Sequence, residues 1–240
     1  MSGAPRRAIA QAEAALDRID GLARAPGSVP PPKGAILVGS AVLGDWREDR
    51  SDIDLLLVSD VPVPEATQAG WRQAARRGGA RTDIAIAAPQ DLAGPVLNLN
   101  LAVALTTAGQ CGHVLRGTPP TPPDAASLAG LLEANLASYW SAWLARARGK
   151  GLGWPTWTMF TPFGAVWSLG GIGRIRSTLA DGRIVSKREA LNRALSRLPE
   201  HRAILDEAGR LREGAAPRMG RLERRRLALA CADDLLARRW

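Results

Sequence analysis

GAILVGSAVLGDWREDRSDIDLLLVSD, residues 34–60, spells a buried strand, a Gly-Ser turn, a short excursion and a second strand that carries two aspartates. Gly34 to Val38 is a short apolar run, as expected for a strand covered on both faces. Gly39-Ser40 breaks it: glycine permits a close backbone approach to a ligand, and serine adds a hydroxyl beside exposed N–H groups. After eleven intervening residues come Asp52-Ile53-Asp54 and then Leu55-Leu56-Leu57-Val58. Successive strand residues face opposite ways, so Asp52 and Asp54 share a face while Ile53 enters the core. Two carboxylates ~4 Å apart repel by roughly 4 kcal/mol at an effective dielectric near 20. A hard divalent cation with oxygen ligands removes that repulsion, and phosphates complete its shell. A glycine turn beside paired aspartates therefore reads as a Mg²⁺–nucleotide site.

Those residues resemble the signature of the polymerase-β-like nucleotidyltransferases: G-S, about ten residues, then D-x-D in a hydrophobic strand. GSAV…SDIDLL is more similar still to the aminoglycoside adenylyltransferases. The resemblance implies an α/β N-terminal nucleotidyltransferase domain with a mixed sheet, followed by an α-helical bundle. It implies Asp52 and Asp54 as ligands of two Mg²⁺ ions, ATP as co-substrate, and Gly39, Ser40 and Ser51 at the nucleotide.

A third acid lies in Arg81-Thr82-Asp83-Ile84-Ala85-Ile86-Ala87. Ile84 and Ile86 mark one strand face, and Asp83, Ala85 and Ala87 the other, where small alanines leave room for a ligand. Polymerase-β-like folds place a third acid on the strand beside the D-x-D strand, and in the adenylyltransferases a glutamate there serves as base. Asp83, one methylene shorter, is thereby a candidate base and metal ligand.

Charge is uneven. Residues 1–124 hold 12 Lys+Arg and 13 Asp+Glu; residues 125–240 hold 20 and 10. The second half is the anion-attracting half, suited to nucleic acid, a triphosphate or a solvated surface. Two cysteines and two histidines without C-x-x-C argue against a disulfide framework or a structural zinc site. No apolar run is long enough to span a membrane, and the N-terminus lacks a signal-peptide core. The expectation is a cytoplasmic protein, monomeric, with no membrane or nucleic-acid partner.

Periodicity predicts helices over 5–24, with Arg18 on its wet side, and over 65–77, stopped by Gly78-Gly79. A further, buried helix covers 96–108 and a short strand 112–115. His113 there is a possible base, though a lone histidine by an apolar strand is more often structural. Thr118 to Pro123 is a stiff linker that sets the domains at 1–122 and 123–240.

Only helices follow. Residues 125–147 form the clearest, with Leu128, Leu132, Leu136, Tyr139, Trp140 and Trp143 on one face, ended by Gly149 and Gly151. Trp154, Trp157 and Phe160 stand in a proline-flanked loop. They suit the wall of a substrate pocket and ordinary packing equally. Gly170-Gly171-Ile172-Gly173 lacks the preceding strand and third glycine of a dinucleotide fingerprint and reads as close helix packing. Ser186-x-x-Glu189 is a capping box opening a helix that Pro199 ends, and two more helices fill 200–213 and 217–238. Arg224-Arg225-Arg226 and Arg238-Arg239 are interleaved with leucines and read as a solvated face.

IGRIRSTLADGRIVSKR, residues 172–188, is similar to the adenylyltransferases' helical-domain segment, with Lys187 thirteen residues after Arg174. In that family these positions reach the ATP phosphates across a cleft between domains, the helical domain closing over the nucleotide. Streptomycin- and spectinomycin-type members carry acids just upstream that face the cationic drug. Here residues 150–180 contain no Asp or Glu. The chain is thus expected to transfer AMP from ATP to a hydroxyl of a small molecule, aminoglycoside-like or related, as in antibiotic resistance. Two alternatives stand beside this: an antitoxin-type enzyme adenylylating a protein hydroxyl, disfavoured by the long C-terminal domain, and a nucleotide-binding module without turnover, disfavoured by the three acids.

Overall fold

A computed structural model describes residues 4–24, 28–77, 79, 81–93, 97–149, 153–238 and 240. Gly78, Gly151 and Arg239, invoked above as breakers or surface charge, lie outside the described residues. The chain divides into two compact units, Met1–Asp124 and Ala125–Trp240.

The first unit is built on four strands: β1 (Gly34–Val38), β2 (Ile53–Val58), β3 (Thr82–Ala87) and β4 (His113–Arg116), ordered β3-β2-β1-β4. β1 runs antiparallel to β2 and β4, while β2 and β3 are parallel, so the sheet is mixed as expected. Every residue of β1 is buried. One face packs Ala35, Leu37, Ile53, Leu55, Leu57, Ile84 and Ile86 with α1 (Arg6–Ala23) and α2 (Glu65–Arg76). Beyond β3 comes a single turn, α3 (Pro89–Leu92). The opposite face packs Ile36, Val38, Leu56 and Ala87 with Leu101, Ala104, Leu105 and Ala108 of α4 (Leu99–Cys111). The room beside Ala85 and Ala87 is thus taken by α4, because small side chains let a helix approach the sheet. Arg18 is not on a wet side: its guanidinium donates to the carbonyls of Ala74 and Ala75 at the end of α2. Arg116 of β4 grips Asp20 of α1 with both terminal nitrogens.

The second unit is helical throughout its described residues. α5 (Ala125–Asn135) and α6 (Ser141–Arg148) are separated by a π-helical turn, Leu136–Trp140, so the expected single helix over 125–147 is interrupted. The wider turn swings Tyr139 outward, against expectation, and keeps Trp140, Trp143 and Leu144 in the core. α7 (Trp154–Thr158) is a short helix where a loop was expected. α8 (Pro162–Asp181), α9 (Lys187–Arg197), α10 (Arg202–Arg212) and α11 (Arg221–Ala237) complete the unit. A Cβ on Gly171 would stand 2.5 Å from the Trp140 ring, which explains a glycine there and bears out close packing. Ser186 caps α9 by accepting from the Glu189 N–H at 3.0 Å. The Glu189 carboxylate itself turns to Arg183 and Arg193.

The arginine cluster is only in part a solvated face: Arg226 and Arg238 are exposed, but Arg224 and Arg225 turn inward. Arg224 is buried and donates to the carbonyls of Met219 and Phe160, both at 2.9 Å. Arg225 donates to the Ala147 carbonyl and lies 4.9 Å over the Phe160 ring. Carbonyls left open by loops and helix ends attract guanidinium groups inward, and periodicity alone does not reveal such acceptors.

Glu207 of α10 is buried and gathers three partners. The N–H groups of Arg218 and Met219 donate to one oxygen at 2.8 and 3.2 Å, and Arg210 pairs with the other at 2.6 Å. Burial raises the pKa of this carboxyl, but the two N–H bonds and Arg210 outweigh it and hold the group below the usual range. A lowered folded pKa gives stability that is present above about pH 4.3, the unfolded value, and lost as pH falls through the folded value. Glu207→Gln is expected to lower the unfolding free energy at neutral pH by about 1–3 kcal/mol and to flatten this acid limb, read by urea midpoints from neutral pH downward.

Candidate active site

Asp54 is the second residue of β2, opposite Val38, where β1 gives way to the Gly39–Ala41 turn. Gly39 has φ +67°, and a Cβ there would overlap the Asp54 carboxylate, reaching 2.6 Å from Cγ. Both backbone sign and space therefore demand glycine. Ser40 is half-buried, and its carbonyl accepts from the Asp45 N–H at 3.0 Å, closing the turn. Ser51 also closes a turn, its hydroxyl oxygen accepting from the Arg47 N–H at 3.0 Å.

Across the parallel ladder Asp54 is the register partner of Asp83. Paired residues on neighbouring strands project from the same face. Asp54 and Asp83 therefore lie on the α4 side of the sheet, at the strand ends beyond α4's apolar cover, and Asp83 is exposed. His113 does not join them. It pairs with Leu37, whose side chain lies in the α1/α2 cluster, so His113 belongs to the opposite face, on an edge strand two places from β2.

Two arginines missed in the sequence complete the site. Arg81 Nε pairs with Asp52 Oδ1 at 2.9 Å, and another of its nitrogens donates to the Arg50 carbonyl. Arg76, at the end of α2, pairs with Asp83 Oδ1 at 2.7 Å and donates to the Thr82 carbonyl at 3.2 Å. The signal was Arg81 itself, one residue ahead of a strand whose second residue is an acid. Asp52, Arg76, Gly79, Arg81, Thr82 and Asp83 line one open cavity of about 290 Å³. The three aspartates offer the hard oxygen donors that Mg²⁺ takes, and Asp54 lies in a glycine cradle that a Cβ would fill. Their ligand atoms do not all approach within 4.8 Å of one another, because Asp52 and Asp83 turn to their arginines. Among the described residues only Glu200, His201 and Asp234 meet that distance, and Arg238 already pairs with both of those acids.

In the second unit, the stem of Lys187 packs over Gly170, 3.3 Å from the position of a Cβ there. Arg174 lies one helical turn along α8 from Gly170, and its Nε donates to the Val185 carbonyl at 3.0 Å. Arg174 and Lys187 are thus brought to one flank of α8. Trp154 is 58% exposed yet meets Trp143 and Trp167 edge-on, at 6.2 and 5.7 Å between ring centroids. Trp157 is 56% exposed and sits 6.2 Å from Phe160. Both tryptophans pack and remain accessible.

Residues 24–97 match a nucleotidyltransferase domain, and residues 166–238 match an aminoglycoside adenylyltransferase C-terminal domain. The chain is a nucleotidyltransferase of the adenylyltransferase type. The first match spans the turn and all three aspartates; the second spans Arg174 and Lys187 but not Trp154 or Trp157. The fold of this adenylyltransferase is similar to that of a spectinomycin adenyltransferase, AAD(9), from Enterococcus faecialis, crystallised with ATP and spectinomycin. That likeness has a TM-score of 0.67 at 16% identity, over 97% of this chain and 99% of the other. No curated protein matches the chain in sequence. Among the described residues no helix is long and apolar enough to cross a membrane.

Gly39→Ala is expected to lose transfer activity, because the methyl displaces Asp54, and to lose at least about 1–2 kcal/mol of stability. Gly44 has φ +70°, but a Cβ there would meet nothing within 4 Å. Gly44→Ala should show the same strain while keeping activity; parallel urea melts and transfer assays separate the two.

Proposed function

We propose that this enzyme transfers AMP from ATP to a hydroxyl of a small molecule, working as a cytoplasmic monomer with two Mg²⁺ ions. The observation carrying the reading is the Asp54–Asp83 pair beside a turn that only glycine permits, inside the matched nucleotidyltransferase domain. Asp52 and Asp54 hold the metal. When bound, Mg²⁺ stabilises charge on the attacking and leaving oxygens. Gly39 lets the chain approach the phosphates, and Ser40 and Ser51 present hydroxyls there. Asp83 also contacts the metal and accepts the acceptor's proton as its oxygen attacks the α-phosphate and pyrophosphate leaves. Arg174 and Lys187 bind the triphosphate and offset charge building on the leaving pyrophosphate.

The match to an adenylyltransferase C-terminal domain favours a small-molecule acceptor over a protein hydroxyl. The spectinomycin in the similar structure points to an aminoglycoside-like or related molecule, whose modification would confer antibiotic resistance. With no acid in residues 150–180, a less cationic acceptor stacked on Trp154 or Trp157 is the better fit. Pyrophosphate release with ATP and Mg²⁺ over a panel of aminoglycosides and neutral polyols tests this. Turnover confined to the most cationic members, indifferent to Trp157→Ala, would overturn the acceptor reading.

Asp54→Asn is expected to abolish transfer, and Asp83→Asn to lower kcat by roughly 10²–10⁴-fold with little change in ATP affinity. A collapse of ATP affinity in Asp83→Asn would make it a metal ligand rather than a base.

Arg174→Ala and Lys187→Ala should each weaken ATP binding by roughly 1.5–3 kcal/mol, the scale of a charge-assisted hydrogen bond. Arg225 is unsuitable as a control, since it ties Ala147 to Phe160; the exposed Arg226 serves instead. Equal small losses in calorimetry for all three positions would mean diffuse attraction only.

A further inference from the structure

Asp52 and Asp83 are each engaged by a guanidinium, Arg81 on Asp52 and Arg76 on Asp83. Both arginines line the cavity that those acids line. Each takes one carboxylate oxygen of the hard donor set that a divalent cation requires, so cation and guanidinium compete for the same group. Arginine cannot yield by losing its proton. It can only exchange one anion for another, and its planar fork suits phosphate as well as carboxylate. The exchange faces little resistance. The side chains of Arg76 and Arg81 are 59% and 64% exposed, and ion pairs in water are weak. Each arginine is also held by a backbone carbonyl, Thr82 for Arg76 and Arg50 for Arg81, so it stays at the cavity when its carboxylate is taken.

We propose that Arg76 and Arg81 are exchangeable clamps, which occupy Asp83 and Asp52 until nucleotide arrives and then pass to the triphosphate as the carboxylates pass to the divalent cation. This rests on the metal role given above to Asp52 and Asp83. Its consequence is that cation and nucleotide enter together, each releasing the partner that the other needs. Both arginines are positioning residues in the nucleotide-free protein and phosphate ligands in the loaded one.

The test measures two affinities on the full chain: Mn²⁺ alone, by electron paramagnetic resonance, and a non-hydrolysable ATP analogue with Mg²⁺, by calorimetry. Arg81→Gln and Arg76→Gln should each tighten Mn²⁺ roughly three- to fivefold, the strength of an exposed ion pair, because a competitor is gone. The same variants should weaken the analogue roughly three- to tenfold, because a phosphate ligand is gone. Arg72→Gln, on the same helix and bonded to Gln68, should leave both unchanged. Opposite signs are the signature. A merely structural role weakens both, and an incidental surface pair moves neither; either result overturns the proposal. Asp52→Asn separates the two levels. If Mn²⁺ binding is undiminished in it, the metal reading itself falls. If Asp52→Asn loses Mn²⁺ while Arg81→Gln gains nothing, only the clamp falls.

Discussion

The carboxylate of Asp54 lies against the backbone of Gly39, so closely that no side chain fits between them. The first unit is arranged to keep that contact. β1 and β2 pair so that Val38, the last residue of one strand, meets Asp54, the second of the other. β3 pairs so that Asp83 meets Asp54. Helices on both faces fix the register, since a one-residue slip would carry Asp54 into the face packed by α1 and α2. The fold places acids where the apolar cover stops, and the proposed chemistry belongs to that edge.

The second unit solves a different problem with small residues. α8 carries glycines at 170, 171 and 173, which admit the Lys187 stem, the Trp140 ring and Ala190 of α9 in turn. The excess of arginine in this half is therefore not all surface charge. Arg176 donates to the Leu235 and Leu236 carbonyls near the end of α11, and Arg224 and Arg225 join separate helices and loops in the same way. Net charge counts those groups as if they were free to attract anions, although they are largely occupied in holding helices together.

What was legible in the sequence was local. The turn, the D-x-D strand and the cap at Ser186 are fixed by residues within a few positions of one another, and their physics survives in any context. The face of Asp83 was legible because pleating alternates faces, and its place beside the D-x-D strand followed from the family resemblance. His113 was not, since its face depends on the register of β4 against β1, a long-range pairing. Arg224 was not, because a buried arginine with carbonyl partners and a solvated one have the same periodicity. The π turn at Leu136 also escaped, since the leucines and tryptophans around it fit an unbroken helix almost as well.

Six of the eight tryptophans belong to residues 125–240, and four of those, Trp140, Trp143, Trp154 and Trp167, lie with ring centroids 4.6 to 6.2 Å from their neighbours in the cluster. Indoles that close share their excited states. Their crossed planes give exciton bands in the far-ultraviolet dichroism that overlap the helix signal, and energy transfer among them funnels emission to whichever ring is most red-shifted. Optical spectroscopy of this protein is therefore chiefly a report on its second half. In the first half, Trp71 is fully buried in the α1/α2 layer and Trp46 packs against the same layer, on the face of the sheet opposite Asp54.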